Sequence, residues 1–206
     1  TEHRTDDYAQ YLYRPAASNP KEPDGTGFVM PYGDSPLDNE TVGQHVYMDI
    51  LNESRYYVHI MTPYLILDSD MITSLTFAAK RGIETIIIMP HIPDKIYAYL
   101  LARSYYAELL QAGVKIYEYT PGFVHAKVFL ADDIAGVVGT VNLDYRSFIH
   151  HYEDAVLMYR TKALSEIKED MQKTFLVSRL QTPADAKKSV VWRWVCEIAK
   201  LFAPLF

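Results

Sequence analysis

Only one cysteine, Cys196, occurs among the 206 residues, so no disulfide can close within the chain and no multi-cysteine metal site can be assembled. A reducing compartment is the simpler expectation. No uninterrupted apolar stretch approaches the roughly 20 residues that a membrane-spanning helix needs. Basic residues are outnumbered, 20 Lys and Arg against 26 Asp and Glu, for a formal net charge of -6. That balance disfavours sequence-independent nucleic-acid binding, which relies on rows of cations facing phosphates. It leaves room for an anionic substrate held by a few focused cations. Neither an internal repeat nor a low-complexity tract is present. Thr1 carries neither an initiator Met nor a basic-then-apolar leader. The start is therefore expected to be a cut within a longer protein, and the piece itself to be soluble or peripheral.

What is present reads as an ordinary folded domain, with 49% hydrophobic and 22% charged residues. Residues 1–27 hold Pro15, Pro20, Pro23, Gly25 and Gly27 without periodicity, a linker or an arm packed on something else, and the domain is expected over 28–206. Val46, Ile50 and Leu51 share a helical face, and Tyr57–Met61 reads as a strand ended by Pro63. Asp68 or Ser69 caps a helix that stops at Lys80-Arg81-Gly82. Ile83–Met89 is apolar and β-branched, as in a central strand covered on both faces. A helix runs from Pro93 to Gly113, and Val114–Tyr119 returns as a strand. Short strands follow at Lys127–Ala131 and Ile134–Val138, turned by Asp132-Asp133, then Ala155–Tyr159. Helices over Lys162–Val177 and Ala184–Phe202 close the chain. The rhythm predicts an α/β layered domain, a mixed and mostly buried sheet flanked by helices.

Chemistry concentrates between His125 and Glu153. His125 and Lys127 are two apart and so project from one face of a strand. The ammonium can bind non-bridging phosphoryl oxygens while the imidazole attacks phosphorus or protonates a leaving oxygen. Asn142 can donate a further hydrogen bond, and Gly139-Thr140 permits close backbone approach. Glu153 is placed to hold the far nitrogen of His125 and fix its tautomer. Each residue alone has a plainer explanation: a surface histidine, a solvated lysine, an Asp-Asp turn. The combination carries the argument.

The run His125-x-Lys127-(x)4-Asp132-(x)6-Gly139-Thr140-x-Asn142 resembles the signature of the phospholipase D superfamily. Thr62-Pro63-Tyr64-Leu65, Pro93-Asp94-Lys95, Arg103-Ser104-Tyr105-Tyr106, Ala112-Gly113 through Tyr119 and Asn142-Leu-Asp-Tyr-Arg146-Ser-Phe148 extend the likeness to bacterial cardiolipin synthases. So does the closing Leu201–Phe206. The resemblance runs from about residue 28 to the end and points to the second of that family's two signature-bearing halves. It implies a phospholipase-D-type fold and cofactor-free, metal-independent transfer. One histidine of a paired site attacks the phosphorus of phosphatidylglycerol and releases glycerol. A second phosphatidylglycerol then resolves the phosphatidyl-histidine to cardiolipin. His125 fits either nucleophile or general acid and base. By the resemblance Asp132 is structural and Glu153 supports the histidine. The family commonly has Asn-Phe-Glu where this chain has His151-Tyr152-Glu153, and only one His–Lys signature is present. A membrane-anchored first catalytic half, or a homodimer mate, is therefore implied as partner, together with phosphatidylglycerol or other anionic phospholipid and a bacterial membrane surface. The isolated half is expected to be inactive.

Arg103 and Arg146 are candidates for headgroup contact, since guanidinium binds phosphate oxygens bidentately. Some of the 17 tyrosines could line a glycerol cleft, though most should pack with their hydroxyls at the surface. In the last helix Val191, Val195, Ile198 and Phe202 form an apolar face beside Trp192 and Trp194, suited to a membrane interface or to packing on the domain. His3, His45, His59, His91 and His150 show no ligand-like spacing and receive no role. Two further readings stand beside phosphatidyl transfer: a single-signature phosphodiesterase or nuclease completed by homodimerisation, and a folded but inactive lipid-phosphate-binding module.

Overall fold

The computed structural model describes residues 27–186 together with 194, 195, 198, 200, 201 and 203. The arm over 1–26 and most of the terminal helix expected over 184–202 lie outside the described residues.

Among the described residues eight strands form one sheet, accompanied by four α-helices and a π-helical turn at Arg146–His150. They are β1 (Phe28–Asp34), β2 (Tyr57–Met61), β4 (Glu84–Pro90), β5 (Lys115–Tyr119), β6 (Val128–Ala131), β7 (Ala135–Gly139), β9 (Glu153–Tyr159) and β10 (Ser178–Leu180). The spatial order is β1-β9-β7-β6-β2-β4-β5-β10. A separate two-stranded pairing joins β3 (Leu65–Ile66) to β8 (Leu143–Asp144). The helices are α1 (Val42–Glu53), α2 (Ser69–Lys80), α3 (Ile96–Ala112) and α4 (Ala163–Leu176). The centre, β2, β4 and β5, is parallel, and β6, β7, β9 and β1 continue it antiparallel. This is the mixed, helix-flanked sheet that the sequence predicts.

The reasons are local and legible. The side chain of Asp68 accepts from Met71 N–H at 2.8 Å and starts α2. Gly113 at φ 102° ends α3 in the left-handed conformation. Strand β4 is buried along six of its seven residues because helices cover one face and α4 the other. On the α1–α3 side Ile60, Ile87, Met89, Ile116 and Phe129 form the main core; on the α4 side Met61, Ile88, Val128, Leu130 and Met171 form a smaller one. Tyr47 of α1 stacks on Phe129 at 3.8 Å between centroids, and its hydroxyl donates to the carbonyl of Val141 at 2.8 Å. One buried tyrosine thus ties a helix to the loop that carries Asn142.

Asp132 fixes the far end of this unit. It and Asp133 sit at φ 54° and 58°, the pair of positive values that a type I′ hairpin turn requires. Its carboxylate accepts from three successive backbone N–H groups, Arg55 at 2.7 Å, Tyr56 at 3.0 Å and Tyr57 at 2.8 Å. The β6–β7 hairpin is therefore latched to the entry of β2, and the register Met61↔Val128 at the opposite end follows from that latch.

Strand β1 was not legible as a strand. Pro31 interrupts it, and most of its residues are exposed; it survives because it is an edge strand, where a missing N–H goes unnoticed. An Asp132→Ala variant is expected to lose about 2–3 kcal/mol, since three hydrogen bonds to a charged acceptor go at once; chemical denaturation measures this. A loss below about 0.5 kcal/mol would show that the latch is not needed.

Candidate active site

His125 and Lys127 lie in the extended segment leading into β6, where the sheet places them beside the C-terminal end of β2. Lys127 is buried at 9% exposure, while His125 is exposed. The Lys127 ammonium donates to the His125 carbonyl at 2.8 Å and lies 3.0 and 3.1 Å from the two ring nitrogens. Burial lowers the Lys127 pKa, and the carboxylates of Glu153 and Asp144 oppose that shift. Burial also lowers the His125 pKa, with Lys127 next in weight and Lys95 adding to it against Asp94. The imidazole thus stays neutral, with an available lone pair, at pH values below its ordinary range.

Aromatic and polar neighbours frame the ring. Phe123 lies 5.6 Å and Tyr64 6.4 Å from it between centroids. The Tyr64 hydroxyl donates to Asp94 at 2.5 Å, and the Lys95 ammonium stands 5.6 Å over the Tyr64 ring. The loop after β4 therefore folds back over the site, a feature hidden from the sequence because Asp94 and Lys95 are thirty residues from His125.

Several candidate residues meet here in arrangements other than those expected. Glu153, 6% exposed, does not bond His125. Its carboxylate accepts a short hydrogen bond from the Thr140 hydroxyl and faces His151 Nδ1 at 3.7 Å. The reason is topological: Glu153 opens β9, two strands away from β6 beyond β7, and it acts on the pair through the charge it offers Lys127. Gly139 is needed for sheet closure rather than for ligand approach, because a Cβ there would lie 2.4 Å from that of Ala155. The Asn142 amide nitrogen donates to Ser147 Oγ at 3.0 Å, and its Oδ1 is buried without a partner. A half-turn of this amide would let the Ser147 hydroxyl donate to Oδ1 and leave the NH₂ group as a donor. Thr62, buried, donates to the Tyr64 carbonyl at 2.9 Å and accepts from Leu143 N–H at 3.3 Å, which sets Asn142 and Asp144 beside the pair.

The two arginines diverge. Arg146 Nε donates to His151 Nε2 at 2.7 Å, so Arg146, His151, Glu153 and Thr140 form one polar chain along the site's edge. His151 had no assigned role; its place two residues before Glu153 in the sequence was the signal. Arg103 instead donates to buried Glu118 at 2.7 Å and to Tyr99 at 3.0 Å, neutralising an interior charge rather than offering its guanidinium to a headgroup. Among the described residues no cluster of His, Cys, Asp or Glu could hold a metal ion, and no helix is long and apolar enough to cross a membrane.

Comparison with solved structures supports a phospholipase-D-like fold. The phosphatidylserine synthase of Haemophilus influenzae superposes with a TM-score of 0.72 at 14% identity, over 88% of this chain and 48% of that one. Nuc, the phospholipase D family member of Salmonella typhimurium, gives 0.64 at 16% identity, over 76% of this chain and 99% of that one. The family described as cardiolipin synthase, PLD-like domain, matches residues 47–175, and the chain belongs to that family. It is 35% identical to a cardiolipin synthase of Halalkalibacterium halodurans over 76% of this chain and 30% of the relative. It is 54% identical to an uncharacterised protein of Streptococcus mutans over 97% of this chain and 42% of the relative. The chain thus spans less than half the length of these relatives.

A Lys127→Met variant removes the neighbouring cation at similar volume. Its His125 ring should titrate at a higher pH than in the parent chain, as followed by NMR, because burial and the more weakly acting Lys95 are then left to depress it. An unchanged or lower titration point would show that the ammonium does not act on the ring.

Proposed function

We propose that this chain supplies one half of a two-histidine site that transfers a phosphatidyl group between two phosphatidylglycerol molecules, giving cardiolipin and glycerol. The observation that carries the reading is the buried Lys127 ammonium against an exposed His125 ring. A ring nitrogen of one histidine attacks the lipid phosphorus. The P–N bond forms as the P–O bond to glycerol breaks, and the departing alkoxide takes a proton from the opposite histidine. The hydroxyl of the second lipid then returns that proton to the opposite histidine and displaces the phosphatidyl group, with the P–N bond breaking. His125 fills either role. Lys127 and the turned amide of Asn142 stabilise the phosphoryl oxygens as charge builds. Glu153, positioned by Thr140 and His151, balances the buried cation, and Arg146 borders the entrance. No metal takes part in this scheme. The partners are anionic phospholipid at a membrane surface and the complementary half-site.

A second reading has support from Nuc, whose chain is covered to 99% by a single such domain: two copies pair across a two-fold axis and cleave a phosphodiester. The lower coverage of the lipid enzymes, 30% and 48%, favours the first reading, since each has length left for a second domain.

In the full-length protein, conversion of phosphatidylglycerol to cardiolipin without added metal is expected. His125→Ala should lower the rate by about a thousandfold or more. Full activity in that variant would overturn the assignment; a dimeric 206-residue chain that hydrolyses diesters unaided would favour the second reading.

A further inference from the structure

Sequence spacing gives His91 no role, but the fold does. Met61 pairs with Val128 on one side and with Ile88 on the other. Three residues beyond each of these rungs stand Tyr64, His125 and His91, so the three occupy one row at the same end of the sheet. The ring contact between Tyr64 and His125 keeps these two neighbours past the last paired residues, and the backbone bond from His91 N–H to the Tyr119 carbonyl continues β4 beside β5. His125 and His91 are two strand spacings apart, about 10 Å between backbones.

The orientation of His91 is fixed from behind. Its Nδ1 lies 2.8 Å from the carboxylate of Glu118, which is 1% exposed, while the His91 side chain is 45% exposed. Arg103 at 2.7 Å and the Tyr106 hydroxyl at 3.2 Å hold the other carboxylate oxygen. The Glu118 carboxylate, held by Arg103, accepts from the Nδ1 side of the ring, which leaves Nε2 as the outward ring atom. Asp94, whose carboxylate accepts from Tyr64, adds a second acceptor from the same loop. Outward acceptors about one small molecule's width from a phosphate-binding pair suit the hydroxyls of a polyol.

We propose that His91, oriented by Glu118 and joined by Asp94, forms a polyol subsite that holds the glycerol headgroup of the lipid whose phosphate engages His125 and Lys127. This rests on the phosphatidyl-transfer reading and adds to it the residues that select a hydroxyl-bearing headgroup. His91 acts by positioning: a hydroxyl donates to Nε2, and the phosphorus is thereby set opposite His125.

The test uses the 206-residue chain and two soluble phosphodiesters, glycerophosphoglycerol and diethyl phosphate, with the ring signals of His125 and His91 followed by NMR. Both ligands should perturb His125. Only glycerophosphoglycerol should perturb His91, and it should bind about five- to tenfold tighter, the gain that a net hydrogen bond or so supplies. His91→Asn is the informative variant, because its side-chain NH₂ can replace the Nδ1 donor to Glu118 while Nε2 is lost. It should bind diethyl phosphate as before and lose the preference for glycerophosphoglycerol. A preference retained in His91→Asn would reduce His91 to a structural partner of Glu118, and an unperturbed His91 ring in the parent chain would overturn the subsite. If neither ligand moved His125, the failure would lie with the phosphate-site reading itself.

Discussion

A lysine ammonium taken out of water is the constraint around which this domain is arranged. Lys127 is buried beside the His125 imidazole, and an isolated cation there would cost several kcal/mol. The offsets come from Asp144 at the end of β8 and Glu153 at the start of β9, both themselves buried. Each carboxylate needs holding in turn. Ser147 N–H donates to Asp144 at 2.7 Å, and Thr140 donates to Glu153. Asp144 shows what this costs: burial pushes its pKa up, and Glu153 adds to the shift. The site is a balance of desolvated charges, one ammonium held against two carboxylates.

Such a balance works only if β6, β8 and β9 arrive together, and the fold ensures this at a distance. The three-fold latch of Asp132 on residues 55–57 sets the register of β6 against β2. Tyr47 carries the core to Val141, and Thr62 carries β2's exit to Leu143. A slip of one residue in β6 would turn Lys127 toward the α4 face and Val128 toward the carboxylates. The structural acid of the signature and its chemical pair are thus linked through strand register rather than contact.

Much of this was readable from residue order. Strand β2 coincides with the expected Tyr57–Met61, and the Asp68 and Gly113 signals mark helix ends because capping is a local effect. The short pairings of β3 with β8 and of β10 with β5 were not readable, since each is only two or three rungs long and is set by tertiary packing. In the site, His125 and Lys127 were visible through their spacing. The engagement of Arg103 by Glu118, the placement of Glu153 on Thr140 and His151, and the approach of Asp94 were not. All depend on which strands lie side by side, and composition carries no record of that. The sequence reading also paired Glu153 with His125 directly, whereas the intervening β7 separates their strands.

The central claim, that His125 and Lys127 form a phosphoryl-anion site, is tested most directly by crystals of the 206-residue chain soaked with tungstate, a phosphate mimic visible by anomalous scattering. The account predicts an oxyanion within hydrogen-bonding distance of the Lys127 ammonium and a ring nitrogen of His125, with Asn142 turned so that its NH₂ group donates to it. Tungstate bound elsewhere while these three side chains stay as they are would contradict it.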